Sequence, residues 1–194
     1  MPIAKTPRSK EFVALLRKRL PEKKARHCIF VAEYFSSYAD KIGVDHDKAV
    51  TAGLLHDLCR TWKKSELLHA AEDYGLEIRD EHVEHPILLH GPVAAEECRR
   101  ELDIECEEIY QAIYWHTTGT PGLGRLGQGL YVADFAEPLR KYPEAEQART
   151  ILRKEDFDEA LFYVAQSKVL FSERKSNNAP VAQRFLNWVE ETYG

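Results

Sequence analysis

Residues 49–62 read AVTAGLLHDLCRTW, an apolar helical run that ends on two adjacent polar residues, His56 and Asp57. Small Ala52 and Gly53 before Leu54 and Leu55 are the pattern of a helix pressed closely against its neighbours. A polar pair at the end of such a run is costly unless something satisfies it. The same contradiction recurs along the chain. His27 lies on the stripe Val31, Tyr34, Phe35, Tyr38 and Ile42, at steps of three and four. His90 stands at the junction before Pro92, His116 continues the stripe of Ile109 and Ile113, and Asp134 follows the apolar LYVA. His46, His69, His82 and His85 lie in polar surroundings and read as surface residues.

The surrounding pattern predicts an all-α protein, because no segment shows period-two alternation bounded by turns. Phe12, Leu15, Leu16 and Leu20 mark a first helix ending at Pro21, and the His27 stripe marks a second that stops at Gly43. Asp45 or Asp47 caps the helix of the opening stretch. A short helix is expected over 65–74 and a loop over 76–91, with Pro92 opening a helix to Leu102. Further helices are expected at Ile109–His116, at Leu126–Phe135, and from Asp156, which forms a capping box with Glu159, to Phe171. KSNNAP reads as a turn before a last helix from Pro180 to Tyr193. The expected organisation is a basic N-terminal helix over 1–21, a core over 22–140, and C-terminal helices over 141–194 packing on that core as a single domain.

Composition limits the function. The chain has 194 residues, 44% hydrophobic and 30% charged, ordinary values for a soluble globular protein. No run approaches the roughly 18 apolar residues of a membrane span, and the N-terminus lacks an apolar signal region, so a cytoplasmic location is expected. A net charge of -5 gives no pull toward DNA. The charge is uneven, since residues 1–26 hold nine Lys or Arg against two acids. That basic helix reads first as a solvated face; RNA, a membrane surface or substrate phosphates are the other readings. Cysteines 28, 59, 98 and 106 form no CxxC pair and read as reduced thiols, mostly buried, with Cys28 and Cys59 as packing residues.

One histidine on an apolar face is ordinarily a core residue with a hydrogen bond. Six such residues, His27, His56, Asp57, His90, His116 and Asp134, are a different matter. Neutral imidazole nitrogens and anionic carboxylate oxygens together are what divalent metals bind. The long spacings suit ligands arriving from several helices of a bundle. Helical neighbours point about 100° apart, so His56 and Asp57 can share a centre only where the helix frays. Asp57 can then bridge two ions.

The order His27, His56-Asp57, Asp134 resembles the HD-domain metal-dependent phosphohydrolases, and His90 and His116 resemble the two extra histidines of two-metal members. LLHDLCR, LLHGPVAAE, AIYWHTTGTPGLG and YVADFAEPLRKYPEAEQAR resemble segments of the YqeK branch, symmetrical hydrolases of dinucleoside tetraphosphates. The likeness covers residues 20–165. It departs at Arg60, where the branch usually has Lys, at Lys24, where it has Arg, and at Gly127 and Gln128, where it often has a polar or charged pair.

This resemblance implies an HD-domain helical bundle with the metal site in its core. It implies cleavage of diadenosine tetraphosphate-like nucleotides to nucleoside diphosphates through a metal-activated water. The alternatives are a broader phosphohydrolase of nucleoside mono- or polyphosphates and a non-catalytic nucleotide- or RNA-binding module. The implied cofactor is a di-metal centre of divalent or trivalent ions, iron first, with manganese or cobalt as substitutes. His27, His56, Asp57 and Asp134 would hold one ion and Asp57, His90 and His116 the other, with His56 and Asp57 as the catalytic pair. Arg60 and Arg140 are candidate phosphate clamps, weighed against surface salt bridges. Thr117, Thr118 and Gly119 are candidate phosphate binders, weighed against an ordinary helix cap. Glu137 is a candidate partner for a ligand histidine. Tyr131, Phe135 and Tyr142 are either core residues or a homodimer face.

Overall fold

Proline, glycine and short capping side chains divide the chain into helices. The structure, a computed structural model, describes residues 6–154, 156–174 and 179–194, and among these there is no strand. Helix α1 (Pro7–Arg19) starts at a box in which Thr6 and Ser9 satisfy each other's backbone, and it ends with Arg17, Lys18 and Arg19 against the negative end of the helix dipole. Arg8 and Arg19 bind their own fold, Arg8 on the carbonyls of Leu102 and Asp103 and Arg19 on Glu97. Pro21 separates α1 from α2 (Glu22–Ser36), which buries Ala25, His27, Cys28, Val31, Ala32 and Phe35.

A 3-10 turn at Asp40–Ile42 and left-handed Gly43 reverse the chain into α3 (His46–Leu55), where Asp45 accepts the Lys48 N–H at 2.8 Å. Gly53 sets the contact between α2 and α3, since a Cβ there would lie 2.5 Å from the Ala32 Cα. That closeness brings the rings of His27 and His56 to 5.3 Å between centroids. Past Leu55 the helix gives way to successive tight turns, Leu58 to Leu55, Arg60 to Asp57 and Trp62 to Cys59. His56 and Asp57 are thereby freed from regular helical spacing, as the opening stretch required.

After α4 (Lys64–Asp73), the segment expected as a loop carries α5 (Asp80–Glu84) and a 3-10 turn at Pro86–Leu89. That turn runs straight into α6 (His90–Glu101), so His90 opens the helix and Pro92 is its third residue. Proline is tolerated there because first-turn N–H groups have no partner within the helix. Then come α7 (Glu107–Trp115) and α8 (Arg125–Ala136). Helix α9 (Pro143–Arg153) was not expected; its apolar face is mostly alanine, Ala145 and Ala148, with Ile151. Helices α10 (Phe157–Arg174) and α11 (Ala179–Tyr193) complete the chain. Asp156 caps α10 by accepting the Glu159 N–H at 2.9 Å. The turn expected over 175–180 lies largely outside the described residues.

One cluster of buried side chains runs from Phe12 in α1 to Val189 in α11. Tyr131 and Phe135 belong to it, which withdraws them from any dimer face. Among the described residues no helix is long and apolar enough to cross a membrane. Cys28, Cys59 and Cys98 are buried free thiols, while Cys106 is half-buried.

Candidate metal centre

Three of the four inner histidines are held by the same local device. The Nδ1 of His56 donates to the Gly53 carbonyl at 2.9 Å, that of His116 to Ile113 at 2.7 Å, and that of His90 to Ile87. Each acceptor lies three residues back, in the last turn of α3 or α7 or, for Ile87, in the 3-10 turn before α6. A carbonyl only accepts, so each Nδ1 carries the proton and each Nε2 presents a lone pair. His27 is fixed differently, with its Nδ1 3.2 Å from the Glu137 carboxylate. Glu137 is itself held by the Leu139 N–H at 2.6 Å. A carboxylate behind an imidazole is the usual support of a metal-binding histidine.

The four Nε2 atoms converge on two carboxylates. Asp57 places Oδ1 at 3.2 Å from His90 Nε2, 3.7 Å from His116 Nε2 and 3.9 Å from His56 Nε2, and places Oδ2 at 3.9 Å from His27 Nε2. Asp134 Oδ1 lies 3.1 Å from His27 Nε2 and 3.8 Å from His56 Nε2. Two compact donor groups result, His27 with His56 and Asp57, and Asp57 with His90 and His116. Asp57 belongs to both, and all five residues are buried. Ligand atoms about 2.0–2.2 Å from one ion stand roughly 3–4 Å from one another, the separation seen here. The buried Nε2 atoms of His27 and His56 make no hydrogen bond. Buried polar atoms are rarely left so, and converging lone pairs and carboxylate oxygens fit a cation.

The electrostatics agree. Burial pushes His56 down to about 3, with only partial compensation from Asp57, and burial likewise lowers His90. Burial opposes ionisation of Asp57, but the imidazoles of His56, His116 and His90 hold it well below the usual carboxylate range. His27 alone is raised, to about 9, because Asp134 and Glu137 outweigh its burial. Without metal, a proton supplies the positive charge these carboxylates demand.

The outlying candidates divide. Arg140 reaches Asp134 Oδ1 at 3.2 Å and approaches Glu137 at 3.7 Å, so it braces both carboxylates. Arg60 is half-buried and forms no ion pair with a described residue, while its charge helps keep His90 neutral. Thr117 Oγ1 lies 3.1 Å from His116 Nε2 and 3.3 Å from His90 Nε2. Thr118 is half-buried and is not drawn into this set. Gly119 caps α7 at φ 68, and a Cβ there would lie 2.2 Å from the Phe185 ring.

Two cations were not read as site residues. Lys24 Nζ is 3.2 Å from Asp57 Oδ2. Lys168 Nζ donates to the His116 carbonyl at 3.2 Å and sits 3.5 Å from the Tyr131 ring centroid. Burial lowers Lys168 to about 8 against the pull of Asp134. Its signal was present in the sequence, for Lys168 continues the apolar stripe of Leu161, Val164 and Ala165.

Fold and donor set define a class: an all-helical protein whose core carries two imidazole–carboxylate groups joined through one aspartate. The HD domain family model matches residues 25–183, and the chain belongs to that family. The chain is 32% identical over 184 residues to the symmetrical bis(5'-nucleosyl)-tetraphosphatase of Bacillus subtilis, covering 92% of this chain and 96% of that one. It is 32% identical to the Halalkalibacterium halodurans protein of the same name, covering 86% and 87%. A crystal structure from Clostridium acetobutylicum, described as a predicted HD superfamily hydrolase involved in NAD metabolism, superposes with a TM-score of 0.88 at 26% identity, covering 94% of this chain and 96% of that one.

Proposed function

We propose that this chain is a metal-dependent phosphohydrolase that cleaves dinucleoside tetraphosphates symmetrically into two nucleoside diphosphates. The observation that carries the reading is the pair of buried donor groups sharing Asp57. The Bacillus and Halalkalibacterium relatives, which bear the name of that activity, support the substrate class.

His27, His56, Asp57 and Asp134 would hold one ion, and Asp57, His90 and His116 a second. Iron suits this nitrogen and oxygen set, and manganese or cobalt would serve. When bound, such ions polarise a phosphoryl group and make water nucleophilic at neutral pH. The chain's own residues do the remainder. Four Nε2 atoms are aimed by Nδ1 contacts formed before any ligand arrives, and at His27 an ion would take the place of a proton. Lys24 offsets the charge of Asp57, and Arg140 that of Asp134. The Thr117 hydroxyl stands beside the second group, and half-buried Arg60 is free to meet phosphate oxygens. Transition-state charge on phosphorus is spread over several oxygens, so preplaced donors of this kind favour it. Water adds to one of the two central phosphorus atoms, and the oxygen bridging them leaves on the other half. The cytoplasm is the proposed place of action.

Metal-loaded protein is incubated with diadenosine tetraphosphate and the products are separated by ion exchange. The reading expects ADP as the only nucleotide product with iron, manganese or cobalt. ATP with AMP, or no product with any of the three, contradicts it.

A further inference from the structure

Lys168 is half-buried, and no described carboxylate lies within ion-pair distance of its ammonium. Its ammonium has three N–H donors. One reaches the His116 carbonyl at 3.2 Å, and the charge lies 3.5 Å from the centroid of the buried Tyr131 ring. Asp134 attracts it, but that carboxylate already faces His27 at 3.1 Å and Arg140 at 3.2 Å. The cation thus keeps donor capacity and uncompensated charge. It does so at a particular place: the carbonyl it grips belongs to His116, and the next residue, Thr117, touches both His90 and His116.

Resting on the phosphohydrolase reading, we infer that Lys168 is a substrate-binding residue, supplied by α10, whose ammonium takes an oxygen of the substrate's phosphate chain beside the Asp57–His90–His116 group. Helix α10 then does more than pack on the core. It delivers a positive charge that the ring of Tyr131 and the His116 carbonyl orient but do not neutralise. A purely structural role would need only a hydrogen-bond donor to the His116 carbonyl. The ammonium gains from the Tyr131 ring and from Asp134, and it still has N–H donors to offer an incoming anion.

The two roles separate on substitution. Lys168→Gln keeps a donor for the carbonyl and removes the charge, while Lys168→Arg keeps the charge. Calorimetric titration of metal-loaded protein with ADP, metal content per chain, and KM and kcat for diadenosine tetraphosphate are measured for each. The inference expects Lys168→Gln to weaken ADP binding and raise KM by about tenfold or more, the scale of a lost charge-assisted hydrogen bond, with metal content unchanged. Lys168→Arg should recover most of the affinity. Unchanged ADP affinity in Lys168→Gln overturns the inference, as does metal loss in proportion to affinity, which would make Lys168 a brace for His116. Should the glutamine variant not fold, Lys168→Met, which removes donor and charge together, is set against Lys168→Arg, and equal ADP affinity in the two overturns the inference. No measurable ADP binding by the wild type also overturns it. Absence of diadenosine tetraphosphate turnover in a wild type that binds ADP would defeat the functional reading instead.

Discussion

The Nε2 atoms of His90 and His116 face each other at 3.1 Å, while the Nδ1–H of each ring donates to a carbonyl three residues back. Two lone pairs at that distance repel unless a cation lies between or beside them. Metal-stripped protein should therefore gain thermal stability when a divalent ion is added. The gain is about 2.7 kcal/mol at a hundredfold excess over Kd. His116→Gln should lose the greater part of it. An equal rise in melting temperature for both proteins would count against the second donor group.

Glu137 is argued to aim His27 through the contact at its Nδ1. Glu137→Ala should lower metal affinity by about 10–100-fold, the usual cost of removing such a support, while His27 itself remains. Competition with a chelator reads the affinity. An unchanged value would reduce Glu137 to a partner of Arg140 and the Leu139 backbone.

Gly53 is expected to be intolerant of any side chain. An alanine Cβ would meet the Ala32 backbone at 2.5 Å, and backbone cannot step aside as a flexible side chain can. Gly53→Ala should destabilise by about 1–3 kcal/mol or more, the range for overpacking. Because Ala32 and His27 share α2, it should also lower metal content. Urea unfolding and metal analysis check the two halves; a variant as stable as the parent would show that α2 and α3 can separate freely.

Glu96 gives a pH test away from the metal ligands. Burial pushes its carboxyl up, but hydrogen bonds from Arg100 at 2.9 Å and Tyr110 at 2.7 Å outweigh this and leave it below its ordinary value. A depressed carboxyl adds stability above its unfolded pKa of about 4.3, and that stability fades as pH falls through the folded value. The stability gap between wild type and Glu96→Gln should be about 1–3 kcal/mol at neutral pH and should close as the pH is lowered below about 4. A gap that does not narrow in acid would mean that the carboxylate's charge is not what matters.

Much of this was readable in the sequence because polar residues inside apolar stripes are visible without coordinates. His27, His56, Asp57, His90, His116 and Asp134 all interrupt such patterns, and the structure brings them together. Helix α9 was harder to see because its inner face is alanine, a residue that signals neither core nor surface. The signal lay in Pro143 at its start and Glu144 and Glu146 in its first turn. Residues 76–91 hid a short helix and a 3-10 turn, since elements of four or five residues show no period. Lys168 was passed over for another reason: long lysine side chains commonly lie along apolar stripes with their heads in water. Only the coordinates show that this head turns toward His116. Gly119, a candidate phosphate binder from sequence, is accounted for by the ordinary alternative, since a left-handed backbone and the Phe185 ring both exclude a side chain there.

Asp57 is the residue on which both proposed metal positions depend. The most direct test of that dependence is the metal content of purified protein by mass spectrometry, wild type beside Asp57→Ala. Two ions per wild-type chain are expected, with near-complete loss of both in the variant while it remains folded by circular dichroism. A folded Asp57→Ala that keeps its full complement of metal would contradict it.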